Sequence, residues 1–271
     1  MGVVRTEAVK ATRRMRTYIS FGILVVIPII MSVALNSNPP DQREQGRGGG
    51  LFFLSTHTGL VMPAASLRLM STLPLLITVV AIFGGDAMAG DASWGNLRFI
   101  LTRPVARVRL LVAKLVVAVA LSWLSVIAVV LSGLAIGVLL FGWHPLDISP
   151  LFHQSTGRLL AHLALATVYV AWMLTGLVAF TFMLSCMTDS PAGATVAGVG
   201  LYIASQVLDA IDPLGSLRNG LPTHYLDSWI DLFTRNTVST DMRSGALLML
   251  GYVVVCTGVA VWWFRRKDIL S

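Results

Sequence analysis

Long runs of apolar residues, separated by short polar stretches, dominate the hydropathy pattern of the chain. Six of these runs approach or exceed the roughly 20 residues that a helix needs to cross a bilayer. They cover residues 19–35, 69–85, 110–141, 159–187, 191–208 and 245–264. The pattern predicts an all-α integral membrane protein, residues 1–271, with six transmembrane helices in a single domain. The third run is longer than a bilayer requires, so its helix should tilt or project beyond the membrane.

The first 18 residues combine apolar side chains with cations in a helical pattern. The apolar positions at helical spacing are Val4, Ala8, Ala11, Met15 and Tyr18. This pattern predicts an amphipathic interfacial helix that lies on the cytoplasmic lipid surface. An unfolded basic flank of the first span is the alternative. A signal peptide would also place cations before an apolar run, but the following VALNSNPP offers no clear small-x-small cleavage site.

Charge is scarce and unevenly placed along the chain. Only 12% of the residues are charged, whereas a soluble domain would be about 25% charged. One side of the membrane would hold most of the 20 Lys and Arg if it carries residues 1–18, 86–114, 186–190 and 265–271. The positive-inside rule makes that side cytoplasmic, with both termini inside a cell membrane. The cations flank apolar runs, so the expected partner is the lipid bilayer and no nucleic acid is expected.

The opposite side would carry residues 36–68, 142–158 and 209–243. The first of these includes NSNPPDQREQGRGGG, whose Pro and Gly content is typical of a flexible linker. The second predicts a short loop. In the third, Thr223 is a candidate N-cap for a short extracytoplasmic helix before the last span. Its apolar stripe comprises Leu226, Trp229, Ile230 and Phe233.

The connector between the second and third spans, residues 90–115, reads GDASWGNLRFILTRPVARVRLLVAKL and contains five cations. Asp91 or Ser93 can cap a helix that Pro104 would end, which predicts a short amphipathic helix over residues 91–104. Its apolar positions are Trp94, Leu97, Ile100 and Leu101. Topology alone explains most of the cations, which are Arg103, Arg107, Arg109 and Lys114. It does not explain the apolar stripe, which needs lipid or a protein partner.

The same connector resembles the junction between the second and third spans of ABC-2-type permeases, the membrane subunits of ATP-binding-cassette transporters. The matching positions are Asp91, Gly95, Asn96, Leu97, Arg98, Arg103, Pro104, Val105, Arg107 and Lys114. The ending WWFRRKDIL, residues 262–270, also resembles the aromatic-basic-Asp ending of that family. Many relatives carry a G-E-x-x-x-G-T version of the connector, where this chain has GDASWGN.

The resemblance implies a coupling helix that docks on a separate cytoplasmic ABC ATPase subunit. The implied function is that of the permease subunit of an exporter, with two ATPase copies that bind ATP and Mg²⁺ and a second permease chain, the same or related. The implied coupling residues are Asp91, Trp94, Leu97, Arg98, Leu101, Arg103, Pro104 and Arg107. The fifth span is a candidate substrate path or dimer seam through Gly193, Ala197, Gly198, Ser205 and Gln206, although packing within one chain explains these residues equally well.

The sequence does not predict an enzyme. It lacks the P-loop pattern G-x-x-x-x-G-K-[ST], so ATP hydrolysis is expected on the partner and no cofactor is expected on this chain. The intramembrane acid closest to a functional position is Asp86, which we expect to be interfacial or hydrogen-bonded. The five histidines have no fixed spacing and predict no metal site; they are His57, His144, His153, His162 and His224.

Two other functions remain open at this stage. The first is a non-transporting membrane anchor or assembly component of a larger complex, which would show no ATP-dependent movement of a substrate. The second is a secondary transporter. That class predicts an inverted repeat and ionisable groups near the membrane midplane, and the sequence has neither.

Overall fold

The computed structural model describes residues 2–38, 49–93, 107–149, 152–234 and 239–266. Among these residues, six helices are long and apolar enough to cross a membrane. They are α2 (Met15–Ser37), α5 (Leu75–Ser93), α6 (Arg107–Phe141), α7 (Thr156–Met187), α8 (Pro191–Asp209) and α10 (Thr240–Arg266). The prediction of a multi-pass, helical membrane protein with six spans is therefore confirmed.

Shorter elements precede and connect the spans. The helices are α1 (Val3–Thr12), α3 (Gly49–His57), α4 (Met62–Thr72) and the single turn α9 (Asp231–Thr234). Strands β1 (Leu146–Ser149) and β2 (Phe152–Gln154) pair antiparallel where the sequence predicted a short loop. Two 3₁₀ segments, Asp212–Gly220 and Ser228–Ile230, lie before α9.

Helix α7 is the packing centre of the bundle, because α5, α6, α8 and α10 all pack along it. Small residues allow this close approach. A Cβ at Gly84 of α5 or at Gly198 of α8 would meet the side chain of Thr181 on α7, and one at Gly176 of α7 would meet Met249 of α10. Helices in a membrane associate through such tight van der Waals packing, since lipid offers no hydrophobic drive.

The second span differs from its predicted bounds of 69–85. Leu73 is extended and Pro74 follows it, so α4 ends at Thr72 and the spanning helix begins at Leu75. Proline disfavours helical geometry in the residue before it, which accounts for the break. Helix α5 then continues to Ser93, so Asp86 and Asp91 both belong to the spanning helix.

Two short helices follow the stretch that was predicted to be a flexible linker. Helices α3 and α4 contribute Leu51, Leu54 and Leu67 to the buried core. Helix α4 packs along the end of α6, where Gly137 faces Gly59 and Met62, and Gly133 faces Pro63. A polar, glycine-rich stretch thus precedes two apolar helices that belong to the bundle. Residues 39–48 lie outside the described part of the chain.

The segment before the last span also differs from the prediction. Leu226, Trp229 and Phe233 are buried as an apolar set, but they lie in turns, a 3₁₀ turn and α9 instead of one amphipathic helix. Thr223 does not cap a helix; its hydroxyl bonds Ser205 at 2.6 Å. The Tyr169 hydroxyl donates to the Tyr225 carbonyl at 2.7 Å, which ties this segment to α7. The segment therefore forms a cap packed on the bundle.

Candidate functional site

Charged side chains from four helices, α1, α2, α5 and α6, meet at one end of the bundle, which we call the α1 end. Helix α1 packs against the first turns of α6, close to the last turns of α5. Its corner with α2 is fixed by Thr17, whose hydroxyl donates to the Ala11 carbonyl at 2.7 Å. Helix α1 ends at Thr12, so the predicted interfacial helix over residues 1–18 is a ten-residue helix followed by a turn. We call the charged group that results the α1 cluster: Glu7, Lys10, Arg14, Arg16, Asp86, Asp91 and Lys114.

Asp91 is the centre of the α1 cluster. Its carboxylate lies 2.5 Å from Lys10 Nζ and 3.3 Å from Arg14 Nη2, and it also pairs with Lys114. The Asp91 and Lys114 side chains are only 2% and 4% exposed. Burying charges is costly unless they are paired and hydrogen-bonded, and here three cations surround one carboxylate.

Two further acids complete the α1 cluster. Glu7 of α1 accepts a hydrogen bond from Lys114 Nζ at 2.8 Å. Asp86 of α5 pairs with Arg14 and lies 3.3 Å from Arg16 Nη1. Four cations and three acids therefore leave the cluster with one net positive charge. The prediction that Asp86 is a hydrogen-bonded structural residue is consistent with these contacts.

The geometry links three helices mechanically. Lys10 and Arg14 lie on either side of the α1–α2 corner, and both reach Asp91 in the last turns of α5. Lys114, in the second turn of α6, connects Asp91 to Glu7. Asp91 lies just before residues 94–106 of the connector, and Lys114 lies in the helix that follows them. Any displacement of α5 relative to α6 at this level must therefore stretch these ion pairs.

A small open cleft with a volume of about 50 Å³ adjoins the α1 cluster. Its polar wall includes Glu7, Lys10 and Arg14, while Phe83 and Leu121 provide part of the apolar wall. The cleft thus brings charged and hydrocarbon surfaces together between α1, α5 and α6.

A serine of α7 fixes the same end of α5. The Ser185 hydroxyl accepts hydrogen bonds from the backbone N–H groups of Met88 and Ala89, at 3.1 and 2.8 Å. It donates to the Gly85 carbonyl at 2.6 Å. Side chains that satisfy backbone groups between membrane helices hold the two helices in one register. The Asp86–Asp91 stretch is therefore anchored to α7 as well as to α1 and α6.

The predicted coupling residues fall in three groups. Asp91 is buried in the α1 cluster, and Arg107 is the first residue of α6. The other six lie outside the described residues: Trp94, Leu97, Arg98, Leu101, Arg103 and Pro104. The predicted helix over 91–104 could not begin at Asp91 or Ser93, because both belong to α5.

Topology alone does not explain the position of Lys114. Its ammonium group is buried and bonded to Asp91 and Glu7. The ion pairs of Lys10 and Arg14 could not be predicted from the sequence either. The helical spacing within residues 1–18 shows an apolar face and a basic face, but it does not show that these two cations pair with acids of α5. Sequence separation is the reason: Lys10 and Asp91 are 81 positions apart.

The fifth-span residues divide between interior and surface. Gly198 packs on Thr181 and Ser205 bonds Thr223, so both lie within the chain. Gln206 donates to the Tyr202 hydroxyl at 3.4 Å. Gly193 and Ala197 are exposed. Ser190 caps α8, since its Oγ accepts a hydrogen bond from the Gly193 N–H at 3.1 Å.

The far end of the bundle carries a separate polar network. Arg68 of α4 pairs with Asp227. Asp209 lies 2.5 Å from His224 Nδ1 and 3.3 Å from Arg218 Nε. Burial lowers the pKa of the Arg68 guanidinium from its ordinary value. Among the described residues, no group of three or more His, Cys, Asp or Glu is arranged to hold a metal ion.

Comparison with known proteins places the chain in a family. No curated protein matches the sequence. A family model described as a protein of unknown function, DUF2705, matches residues 25–270. The matched stretch includes the second part of the first span, the other five spans and the connector. The match covers most of the 271 residues. The chain is therefore a member of the DUF2705 family.

Proposed function

We propose that this chain is the permease subunit of an ABC exporter. It works with a second permease chain and two cytoplasmic ATPase subunits, which bind ATP and Mg²⁺. The observation that carries the proposal is the α1 cluster, which joins α1, α5 and α6 on both sides of the connector. The resemblance of the connector to ABC-2-type permeases indicates that the partner is an ABC ATPase. The ion pairs of the α1 cluster would transmit a movement of that ATPase to the spanning helices.

The route begins at the connector and ends in two spans. A force on residues 94–106 is transmitted to Asp91 through the last turn of α5. It is transmitted to Lys114 through the first turns of α6. Because these residues pair with each other and with α1, the three elements move together. The hydrogen bonds of Ser185 extend the same linkage to α7. Trp94, Leu97 and Leu101 would anchor the connector in the ATPase, as aromatic and aliphatic residues do at interface cores.

Exposed cations support a cytoplasmic α1 end. They are Arg5, Arg13, Arg16, Arg109, Arg265 and Arg266. The positive-inside rule places such a group beside the cytoplasm, where an ATPase is available. Exposed apolar residues on α2 and α8, such as Ile30 and Val196, supply a surface for a second permease chain.

Co-purification tests the partner directly. The chain is expressed with a candidate cassette ATPase and purified through a tag on the permease. We expect the ATPase to co-purify with the wild-type chain, and Trp94→Ala with Leu97→Ala to abolish its retention. The matched control replaces an exposed Trp and an exposed Leu at the far end of α6, Trp143→Ala with Leu139→Ala, and should retain the ATPase. Equal retention by all three proteins would contradict the coupling role.

Transport distinguishes a permease from a membrane anchor. Proteoliposomes that contain the purified complex should move a substrate in the presence of ATP and Mg²⁺ and stop when Mg²⁺ is chelated. An anchor or assembly component would bind the ATPase without moving any substrate. Stable ATPase binding with no ATP-dependent movement across a substrate panel would favour that second function.

A further inference from the structure

Helices α8 and α10 leave a groove between them in the spanning part of the bundle. Each packs along α7, but within the described residues the two make few contacts with each other. The floor of the groove is α7, with Met173, Leu177 and Phe180. Leu201 of α8 and Val255 of α10 form opposite walls.

The groove is closed at the end away from α1. Pro222 and Leu226 of the cap line this end. The Tyr252 hydroxyl donates to the Gly220 carbonyl at 2.8 Å and so fastens α10 to the cap. Because α8 and α10 do not close over α7, the groove opens sideways, toward the hydrocarbon that surrounds the spans.

The lining is almost entirely hydrocarbon and thioether. No charged side chain is among the residues that line the groove, and its surface is overwhelmingly apolar. Met173, Met183 and Met249 contribute flexible side chains that adapt to irregular apolar ligands. The cavity volume is about 220 Å³, below the roughly 300–1,000 Å³ typical of sites that enclose a whole small molecule.

The size and position of the groove decide between possible occupants. A void in a membrane loses dispersion contacts on its lining, so a neighbouring molecule fills it. A helix with its side chains is about 10 Å across, so this volume would hold less than one turn of a helix, far less than a spanning segment. An acyl chain is thin, flexible and already present beside the opening. We propose that the groove between α7, α8 and α10 binds one acyl chain of a membrane phospholipid, whose headgroup remains outside the uncharged lining.

Two adjacent valines of α10 provide a matched test. Val255 lines the groove and is 62% exposed, whereas Val254 is 61% exposed and lies outside the lining. The site does not depend on an ATPase, so the chain is reconstituted alone in phosphatidylcholine vesicles. The lipid carries a diazirine near the middle of one acyl chain, and the labelled peptides are mapped after irradiation.

We expect the wild-type chain to be labelled on α7 near Phe180 and Met183. Val255→Trp should lose most of this labelling, and less phospholipid should remain bound after detergent extraction. Val254→Trp adds the same bulk to the lipid-facing side of the helix and should retain both. Equal losses in the two variants would show only ordinary contact with surrounding lipid and overturn the proposal.

The identity of the occupant is tested with photoreactive methionine. Incorporated photo-methionine at Met173, Met183 and Met249 should form adducts with phospholipid on irradiation. Adducts that join these groove peptides to a second protein chain would show that a helix occupies the groove and would overturn the proposal. Failure of the ATPase to co-purify leaves this result unaffected, since the vesicles contain no ATPase.

Discussion

Lys114 of α6 and Asp91 of α5 form an ion pair in which both side chains are nearly inaccessible to solvent. They lie close to the two ends of the connector that resembles a coupling helix. Glu7, Lys10 and Arg14 bring the N-terminal helix into the same cluster. The pair therefore marks the point where the N terminus and two spans share one set of charges.

Removing the central carboxylate should destabilise the protein. Asp91→Asn leaves Lys10 and Lys114 without their shared anion, and breaking a buried pair in this way costs about 3 kcal/mol. The measurement is thermal unfolding of the purified chain in nanodiscs. Asp212→Asn is the control, because Asp212 is exposed and its ion pair with Arg218 contributes about 1 kcal/mol at most. Equal shifts in the two variants would mean that the Asp91 cluster is not coupled to folding.

Two adjacent arginines should differ in their effect on α1. Arg14 pairs with Asp86 and Asp91, whereas Arg13 is exposed and has no ion pair among the described residues. Arg14→Ala should lower the free energy of local opening of α1 by about 1.5 kcal/mol, the contribution of a hydrogen bond between charged groups. Hydrogen exchange of the amides in Val3–Thr12 measures this opening. Faster exchange after Arg13→Ala, or no change after Arg14→Ala, would contradict the contacts described.

Ser185 should contribute more to the stability of the protein than a serine that bonds only within its own helix. Ser185→Ala removes the hydrogen bonds that join α7 to the backbone of α5, and a hydrogen bond of this kind contributes about 0.5–1.5 kcal/mol. The control is Ser132→Ala, because the Ser132 hydroxyl bonds only the Val129 carbonyl of its own helix among the contacts seen. Chemical denaturation in mixed micelles compares the two. If both variants unfold alike, the α5–α7 hydrogen bonds contribute nothing to the fold.

Two glycines of α8 should differ in their response to substitution by alanine, because Gly198 lies on a packed face of the helix and Gly200 on an open face. A Cβ at Gly198 would meet Thr181, so Gly198→Ala should destabilise the chain by about 1–3 kcal/mol through overpacking. Gly200 has nothing within reach of a Cβ, and Gly200→Ala should stabilise α8 by up to about 1 kcal/mol. Thermal unfolding measures both changes. The reverse order of stability would contradict the packing of Gly198 on Thr181.

The spans could be predicted from the sequence because length and hydropathy decide whether a helix crosses a bilayer. The break at Pro74 shifted the second span, since the apolar pattern continues through Leu73 into α5 without a polar gap. Helices α3 and α4 were missed for a related reason. They are too short to span a membrane, and they follow a glycine-rich stretch that is typical of linkers.

The α1 cluster could not be derived from local sequence. Lys114 follows four arginines of the connector, so its charge indicates topology and gives no sign of burial. Asp91 looks like a helix cap because small residues and glycine surround it. Only the packing of α1 against α5 and α6 shows that these charges neutralise one another. The coupling function itself depends on residues 94–106 and stays a prediction.

The central position of α7 has a consequence for biogenesis. Helix α5 packs most extensively on α7 and α8, both of which leave the ribosome after it, and α10 docks last on α7. The early spans must therefore remain in the membrane with unpaired small-residue faces until α7 and α8 are inserted. Insertion of the early helices and their packing are thus separated in time for this chain. A chain truncated before α7 would expose Gly84 and Gly85 to lipid or to the insertion machinery.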